Sequence, residues 1–200
     1  MNRLSFVLSL ALFAFAPVAE AGKKDRKGKE KAPTKTESSE SNMPITIHDL
    51  TISPALVDMP ALLADWAWAL PEPVRPVLLT AVGDVFAQGD SGKVYLVDTV
   101  KGEVLEVAAD GASFQSLMTD AAFVTARMFP SQVVQLRAAG LQLGASQVYS
   151  HKKPMVLGGA DEVNNFEVVD VAVHVSVAGQ IHRQVKDLPD GASIDKIEIK

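Results

Sequence analysis

The stretch Lys93-Val-Tyr-Leu-Val-Asp98, joined by Thr99-Val100-Lys101-Gly102 to Glu103-Val-Leu-Glu-Val-Ala108, decides the fold. Two β-rich runs connected by a short loop that contains glycine are typical of a β-hairpin. The sequence Gly89-Asp90-Ser91-Gly92 marks another turn directly before it, and residues 77–88 predict an extended segment that enters the sheet. The sequence therefore predicts an antiparallel sheet built from consecutive strands.

Helices are predicted on both sides of this hairpin. Residues 54–70 carry apolar residues at helical spacing, and Pro71, Pro73 and Pro76 end that region. On a helix the side chains of Trp66 and Trp68 point about 200° apart. Either one faces the core and the other lies at a rim or in a partner surface, or both are buried on different sides.

The period of the apolar residues changes again after the hairpin. Helical spacing follows Phe114, with one helix that opens at Pro130-Ser131 and stops at Gly140. Residues 141–159 are loop-rich, and residues 166–172 predict a strand. A last helix is expected from Val173 and is terminated by Pro189-Asp190-Gly191, before a final short strand or packed tail around residues 194–199.

Strands and helices alternate irregularly, which favours α+β over a doubly wound parallel sheet. We predict a small, mostly antiparallel sheet with hairpins, packed by several helices, in a single domain over residues 44–200.

The N-terminus has the three-part pattern of a secretory signal peptide. Arg3 precedes a mostly apolar run over residues 4–19, and Ala19-Glu20-Ala21 provides a cleavage site. As a helix this run spans only about 24 Å, less than a bilayer core of roughly 30 Å. We expect residues 1–21 to be cleaved, residues 22–43 to form a disordered basic linker, and the domain to be periplasmic or secreted.

The basic residues after the apolar run support an alternative. They outnumber Arg3 and the N-terminal amine, so the positive-inside bias favours a membrane-anchored chain with the domain in the cytoplasm. The absence of cysteine excludes disulfides and a lipid anchor on cysteine.

The domain is acidic. From Met43 onward there are 11 lysines and arginines against 19 aspartates and glutamates, a net charge of −8, compared with −5 for the whole chain. Nucleic-acid binding needs cations that displace phosphate counterions, so this balance argues against a nucleic-acid partner and suits a basic protein partner.

Known catalytic patterns are missing from the sequence. Gly89-Asp-Ser-Gly-Lys93 is too short for a phosphate-binding loop, and no cysteine or Gly-x-Ser-x-Gly nucleophile is present. His174 and His182 are eight residues apart, about 80° around a helix, and cannot bind one metal ion without a third element. We predict no enzyme activity, no metal and no cofactor.

An acidic stretch surrounds Asn164-Asn165 and includes Asp161 and Glu162. Paired carboxylates act in acid–base catalysis only where a pocket shifts their pKa values apart, and nothing in the sequence predicts such a pocket. We therefore expect this acidic stretch to be either a solvated loop or a patch that binds a basic partner.

Several motifs resemble one bacterial family. They run in order over residues 66–200, and none of them is catalytic. They include Leu78-Leu-Thr-Ala-Val-Gly-Asp-Val-Phe86, Gly92-Lys-Val-Tyr-Leu-Val-Asp98, Leu136-Arg-Ala-Ala-Gly-Leu141, Leu157-Gly-Gly159, Val169-Asp-Val-Ala-Val-His174 and Gly179-Gln-Ile-His-Arg-Gln-Val-Lys-Asp-Leu-Pro-Asp-Gly191. Together they resemble the C-terminal domain of immunity proteins against type VI secretion DNase effectors.

The resemblance implies a protein that neutralises an effector toxin by binding it. Family members often carry a further N-terminal domain, where this chain has the predicted signal peptide and linker. Asp161 and Glu162 are the predicted contacts with a basic toxin surface. The alternative is an exported module that binds a cell-envelope component and has no toxin partner.

Overall fold

The first five strands form one antiparallel sheet, in which every strand pairs with its neighbour in the sequence. A sixth and a seventh strand form a separate antiparallel pair. The computed structural model describes residues 45–189, 192, 194 and 196–200, so the predicted signal peptide over 1–21 and linker over 22–43 lie outside the described residues. The strands are β1 Thr51–Ile52, β2 Val74–Thr80, β3 Val85–Gly89, β4 Val94–Asp98, β5 Glu103–Ala108, β6 Gln147–His151 and β7 Phe166–Asp170.

In the described part of the chain, four α-helices pack against these sheets. They are α1 Gly111–Leu117, α2 Ala121–Met128, α3 Pro130–Ala138 and α4 Val171–Val185. Aspartates begin three of them: the Asp110 carboxylate accepts from the Ser113 N–H, Asp120 caps α2 and Asp170 caps α4. The predicted α+β domain with an antiparallel sheet, hairpins and several helices is confirmed.

The predicted hairpin is formed by β4 and β5, and the turn between them is held by one side chain. The Oδ1 atom of Asp98 accepts from the N–H groups of Val100 at 3.2 Å and Lys101 at 2.9 Å. An aspartate that binds the backbone of the residues after it stabilises a tight turn. Strand β4, before the turn, is buried, and strand β5, after it, is half-buried.

The predicted helical region over residues 54–70 is wrong for most of its length. It holds only two short 3-10 turns, Pro54–Leu56 and Ala64–Trp66. Pro60 lies between them, and proline removes a helical hydrogen bond and clashes with the preceding turn. In the turn that results, the Trp66 and Trp68 rings stack with their centroids 6.0 Å apart, whereas opposite faces of an α-helix would separate them.

Two further differences concern the C-terminal half. Residues 141–159, expected to be loop-rich, include β6, and α4 begins at Val171 directly after β7. The helix ends at Val185, and Asp190 and Gly191 of the predicted stop lie outside the described residues.

The last residues form a packed tail rather than a strand. The Gln184 side chain donates to the Glu198 carbonyl at 2.8 Å and accepts from its N–H at 3.1 Å. Gln180 makes the same pair of bonds with Lys200, at 3.3 and 2.7 Å. Two glutamines one turn apart on α4 thus pair with the backbone of alternate tail residues.

Helix α4 crosses the Ala64–Trp66 turn at very short range. The Nε1 atom of Trp66, which is fully buried, donates to the Val175 carbonyl at 2.8 Å. A Cβ atom added at Gly179 would lie 2.9 Å from both the Asp65 carbonyl oxygen and Trp66 Nε1. Glycine is therefore required where the two elements meet. None of the helices among the described residues has the length and apolarity needed to cross a bilayer.

We expect Gly179→Ala to destabilise the protein. Overpacking costs about 1–3 kcal/mol, and the better helix propensity of alanine offsets at most about 1 kcal/mol of it. The free energy of unfolding from urea titration should fall. Gly111→Ala in α1 is the control, since its added Cβ would meet only Gln88 Nε2 at 3.4 Å. Equal stability of the two variants would contradict this account of the crossing.

Candidate functional site

A chain of hydrogen bonds links α4 to both sheets. Nδ1 of His174 lies 2.9 Å from Ser150 Oγ on β6, and its Nε2 lies 3.0 Å from Thr99 Oγ1 in the β4–β5 turn. The Thr99 hydroxyl and N–H both donate to Oδ1 of Asp84, at 3.0 and 2.9 Å. Because Thr99 donates to Asp84, it accepts from His174, and the free Nδ1 then accepts from Ser150.

The second histidine of α4 binds the same turn. His182 is buried, and its Nε2 donates to the Thr99 carbonyl at 3.1 Å. The two rings also lie directly on turn glycines, since an added Cβ at Gly83 would overlap His174 and one at Gly102 would overlap His182. The eight-residue spacing of the histidines therefore matches two adjacent turns of the sheet. Among the described residues, no group of three potential ligands is placed to hold a metal ion.

Burial shifts the pKa values of Asp84 and His174, the two ionisable groups of this hydrogen-bond chain, in opposite directions. It raises the pKa of Asp84 to about 7, with a further contribution from the nearby Asp98, while hydrogen bonds from Thr99 oppose the shift. Burial lowers the pKa of His174 to about 4, and His151 adds to the effect. His174 is thus a neutral ring and a weak base near pH 7, which favours a structural role over proton transfer to a substrate.

An apolar groove runs along α4 beside this chain. It has a volume of about 380 Å³, and Ser150 and His174 are among its lining residues. The apolar part of the lining includes Met155, Val169 and Val173. Val173 is 56 % exposed, which makes it the most exposed large apolar side chain among the described residues.

The connection between β6 and β7, residues 152–165, forms one wall of the groove and is called here the β6–β7 loop. Asn165 holds its two ends together: Nδ2 donates to the carbonyls of Lys153 at 2.9 Å and Ala160 at 2.8 Å, and Oδ1 accepts from the Lys153 N–H at 3.1 Å. Gly159 packs so closely that a Cβ there would overlap the Lys153 carbonyl. The loop is thus ordered by its own contacts.

The β6–β7 loop presents both apolar and acidic side chains. Met155, Val156 and Val163 are 37–41 % exposed. The predicted contact residues Asp161 and Glu162 lie in the same loop and are exposed. Exposed apolar groups clustered on an ordered segment are typical of surfaces that bind a partner.

The two predicted contact residues differ in how they are held. Asp161 Oδ1 accepts from Gln132 Nε2 at 2.9 Å and lies 3.3 Å from Nε2 of His151. The Glu162 carboxylate has no hydrogen bond or ion pair within the described part of the chain, and it borders a shallow hollow with Leu141 and Phe166. Their role as partner contacts stays a prediction.

Many of the other carboxylates serve the fold itself, which the net charge could not reveal. They cap helices, hold turns or bind neighbouring hydroxyl and guanidinium groups, as do Asp49, Asp65, Glu72, Asp84, Asp98, Asp110, Asp120 and Asp170. The acidic character available to a partner is therefore concentrated at fewer positions than composition indicates, and Glu162 is among them.

The opposed pKa shifts of His174 and Asp84 should give two pH-dependent contributions to folding stability. In the wild type these contributions largely cancel. His174 titrates near pH 6.5 when unfolded and near 4 when folded, so its contribution to stability rises with pH between these values. Asp84 titrates near 3.8 when unfolded and near 7 when folded, so its contribution falls over nearly the same window. The two slopes oppose each other.

Single substitutions should uncover each slope. Between pH 4.5 and 6.5 the stability of Asp84→Asn should rise with pH, and that of His174→Gln should fall, each by at most about 1.4 kcal/mol per pH unit. Urea unfolding at several pH values measures both. Parallel pH profiles for the two variants would show that these groups do not titrate as described.

Part of the chain matches a known protein family. The family model described as T6SS immunity protein Tdi1, C-terminal, matches residues 108–182, less than half of the chain. That match begins at the end of β5, contains the β6–β7 loop and ends within α4 at His182. It is narrower than the range of residues 66–200 over which the sequence motifs run.

One solved structure is a distant match. The crystal structure of Atu4351 from Agrobacterium tumefaciens is 17 % identical, with a TM-score of 0.43, and the match covers 62 % of this chain and 65 % of that one. This chain therefore spans slightly less than two thirds of the length of Atu4351. A comparison with curated proteins gave no match. The resemblance predicted from the sequence is confirmed over residues 108–182, which match the C-terminal part of a family of type VI secretion immunity proteins.

Proposed function

We propose that this protein is an immunity protein that neutralises a type VI secretion effector toxin by forming a complex with it, without enzymatic activity of its own. The observation that carries the proposal is the family match over residues 108–182, which includes the ordered β6–β7 loop. The sequence motifs that predicted the same family are structural, which fits a protein that acts by binding.

The β6–β7 loop is the surface that we assign to the toxin. Its contacts through Asn165 and the close packing of Gly159 order the backbone before any partner arrives. A preorganised segment loses little conformational entropy on binding, so more of the contact energy remains as affinity. Met155 and Val163 supply apolar area next to the carboxylates of Asp161 and Glu162.

The carboxylates of the loop indicate the chemistry of the partner. A basic toxin surface would be attracted to Glu162, whose charge is not neutralised by an ion pair within the described residues. Rim charges of this kind mainly raise the association rate, and salt screens their effect. We therefore infer that the toxin presents lysine or arginine to this loop.

The predicted signal peptide makes the periplasm the proposed place of action. A toxin met there would act in the periplasm or pass through it.

The direct test of the function is co-expression with the toxin encoded by the neighbouring gene. The full chain should restore growth to cells that make this toxin, and it should bind an inactive toxin variant when both are purified. If the neighbouring gene encodes no toxin, or the chain neither protects nor binds, the proposed function is wrong and the envelope-binding alternative gains support.

Glu162→Lys should slow association with the inactive toxin by about tenfold at low salt, and the difference should shrink at high salt. Asp90→Lys is a matched control, because Asp90 is exposed in the β3–β4 turn, at the end of β4 opposite the groove. Asp161→Asn should show a smaller effect in the same direction. Surface plasmon resonance gives the association rates of the three variants. Equal rates for Glu162→Lys and Asp90→Lys would show that the charge of the β6–β7 loop does not steer the toxin.

Cell fractionation tests the place of action. A chain with a C-terminal tag should appear in the periplasmic fraction, shortened by residues 1–21. A full-length chain in the membrane fraction, with its tag protected inside the cytoplasm, would support the anchored alternative instead.

A further inference from the structure

Phe129 has an unusual backbone conformation. It is the sole residue other than glycine with a positive φ in the described part of the chain, at φ 49° and ψ 54°. It joins α2 to α3 and is followed by Pro130. The left-handed region is disfavoured for a bulky side chain, and a following proline narrows the allowed conformations further.

The junction itself needs only the backbone of this residue. The Phe129 carbonyl accepts from the N–H groups of Gln132 at 3.0 Å and Val133 at 3.1 Å, which satisfies the first turn of α3. Glycine would make the same bonds and adopt the same φ without steric strain. The backbone hydrogen bonds of the junction therefore do not require an aromatic side chain at this position.

The side chain of Phe129 is only partly covered by the rest of the protein. Phe129 is 42 % exposed, while the preceding Met128 is fully buried. The aromatic residues that do pack in this region are Phe114 and Phe123, whose rings lie 5.0 and 6.1 Å from that of Phe86. Strained backbone conformations cluster at functional sites, so a strained and exposed aromatic residue is a candidate for a binding surface.

The position of Phe129 connects it to the surface already assigned. Gln132, one turn further along α3, donates to Asp161 of the β6–β7 loop at 2.9 Å. The N-terminal turn of α3 and the acidic part of the loop are therefore neighbours. An exposed aromatic residue at the start of a helix turn that contacts a carboxylate of the loop would complement a partner that offers an apolar pocket rimmed by basic groups.

We propose that Phe129 is the aromatic anchor of the toxin interface and inserts into an apolar pocket bordered by lysine or arginine on the toxin. This inference rests on the proposed function. It adds a contact outside the β6–β7 loop. It also accounts for the strained backbone, because the left-handed conformation fixes the direction of the ring at the start of α3.

Two variants separate the ring from the strain. Phe129→Ala removes the ring and keeps an L-residue in the left-handed region, while Phe129→Gly removes both. We expect the two variants to bind the inactive toxin at least tenfold more weakly than wild type, to a similar extent. The melting temperature of Phe129→Gly should be above that of Phe129→Ala and no lower than that of wild type.

Val77→Ala is the control for loss of an exposed apolar side chain, since Val77 on β2 is 43 % exposed. It should bind like wild type. Binding of both Phe129 variants within twofold of wild type would overturn the anchor while leaving the proposed function intact. A melting temperature of Phe129→Gly well below that of wild type would also overturn it, because the ring would then serve the fold. Failure of the wild type to bind or protect would instead reject the proposed function, and the anchor with it.

Discussion

Thr99 is the point at which the N-terminal sheet holds the C-terminal helix. Its hydroxyl contacts His174, its carbonyl accepts from His182, and its N–H and hydroxyl both bind Asp84. Apolar packing alone is non-directional and would allow α4 to slide or rotate. Hydrogen bonds from two rings to one residue therefore fix the register of α4 against this turn.

The protonation states of these buried groups follow from the same arrangement. A charged ring at His174 would lack a compensating anion if Asp84 took up a proton, and a charged Asp84 lies close to Asp98. Burial therefore favours the neutral ring and brings the carboxyl pKa near 7. Near pH 7 the hydrogen-bond chain joins the elements through a neutral histidine and a partly protonated carboxyl, which avoids the large desolvation penalty of a buried ion pair.

The features that the sequence predicted are local, and those that it missed join distant residues. The β4–β5 hairpin needed only a strand pattern and a glycine turn. The contacts of His174 and His182 with Thr99 span 75 and 83 residues, and no pattern in one sequence predicts such pairs. The helix predicted over residues 54–70 is wrong because Pro60 interrupts the region despite its apolar spacing. Composition shows an acidic domain, but it cannot distinguish a helix cap such as Asp110 from Glu162, whose carboxylate has no hydrogen-bond or ion-pair partner among the described residues.

Helix α4 and the proposed partner surface, the β6–β7 loop, are connected by direct contacts. Strand β7 leads into α4 without a linker, and Ser150 on β6 binds His174, so both ends of the β6–β7 loop are tied to the helix. His151, next to Ser150, contacts Asp161 within the loop. A displacement of α4 would consequently move β6, β7 and the carboxylates between them. The order of the proposed partner surface thus depends on contacts that reach back to Thr99, which lines the same groove as Met155 of the loop.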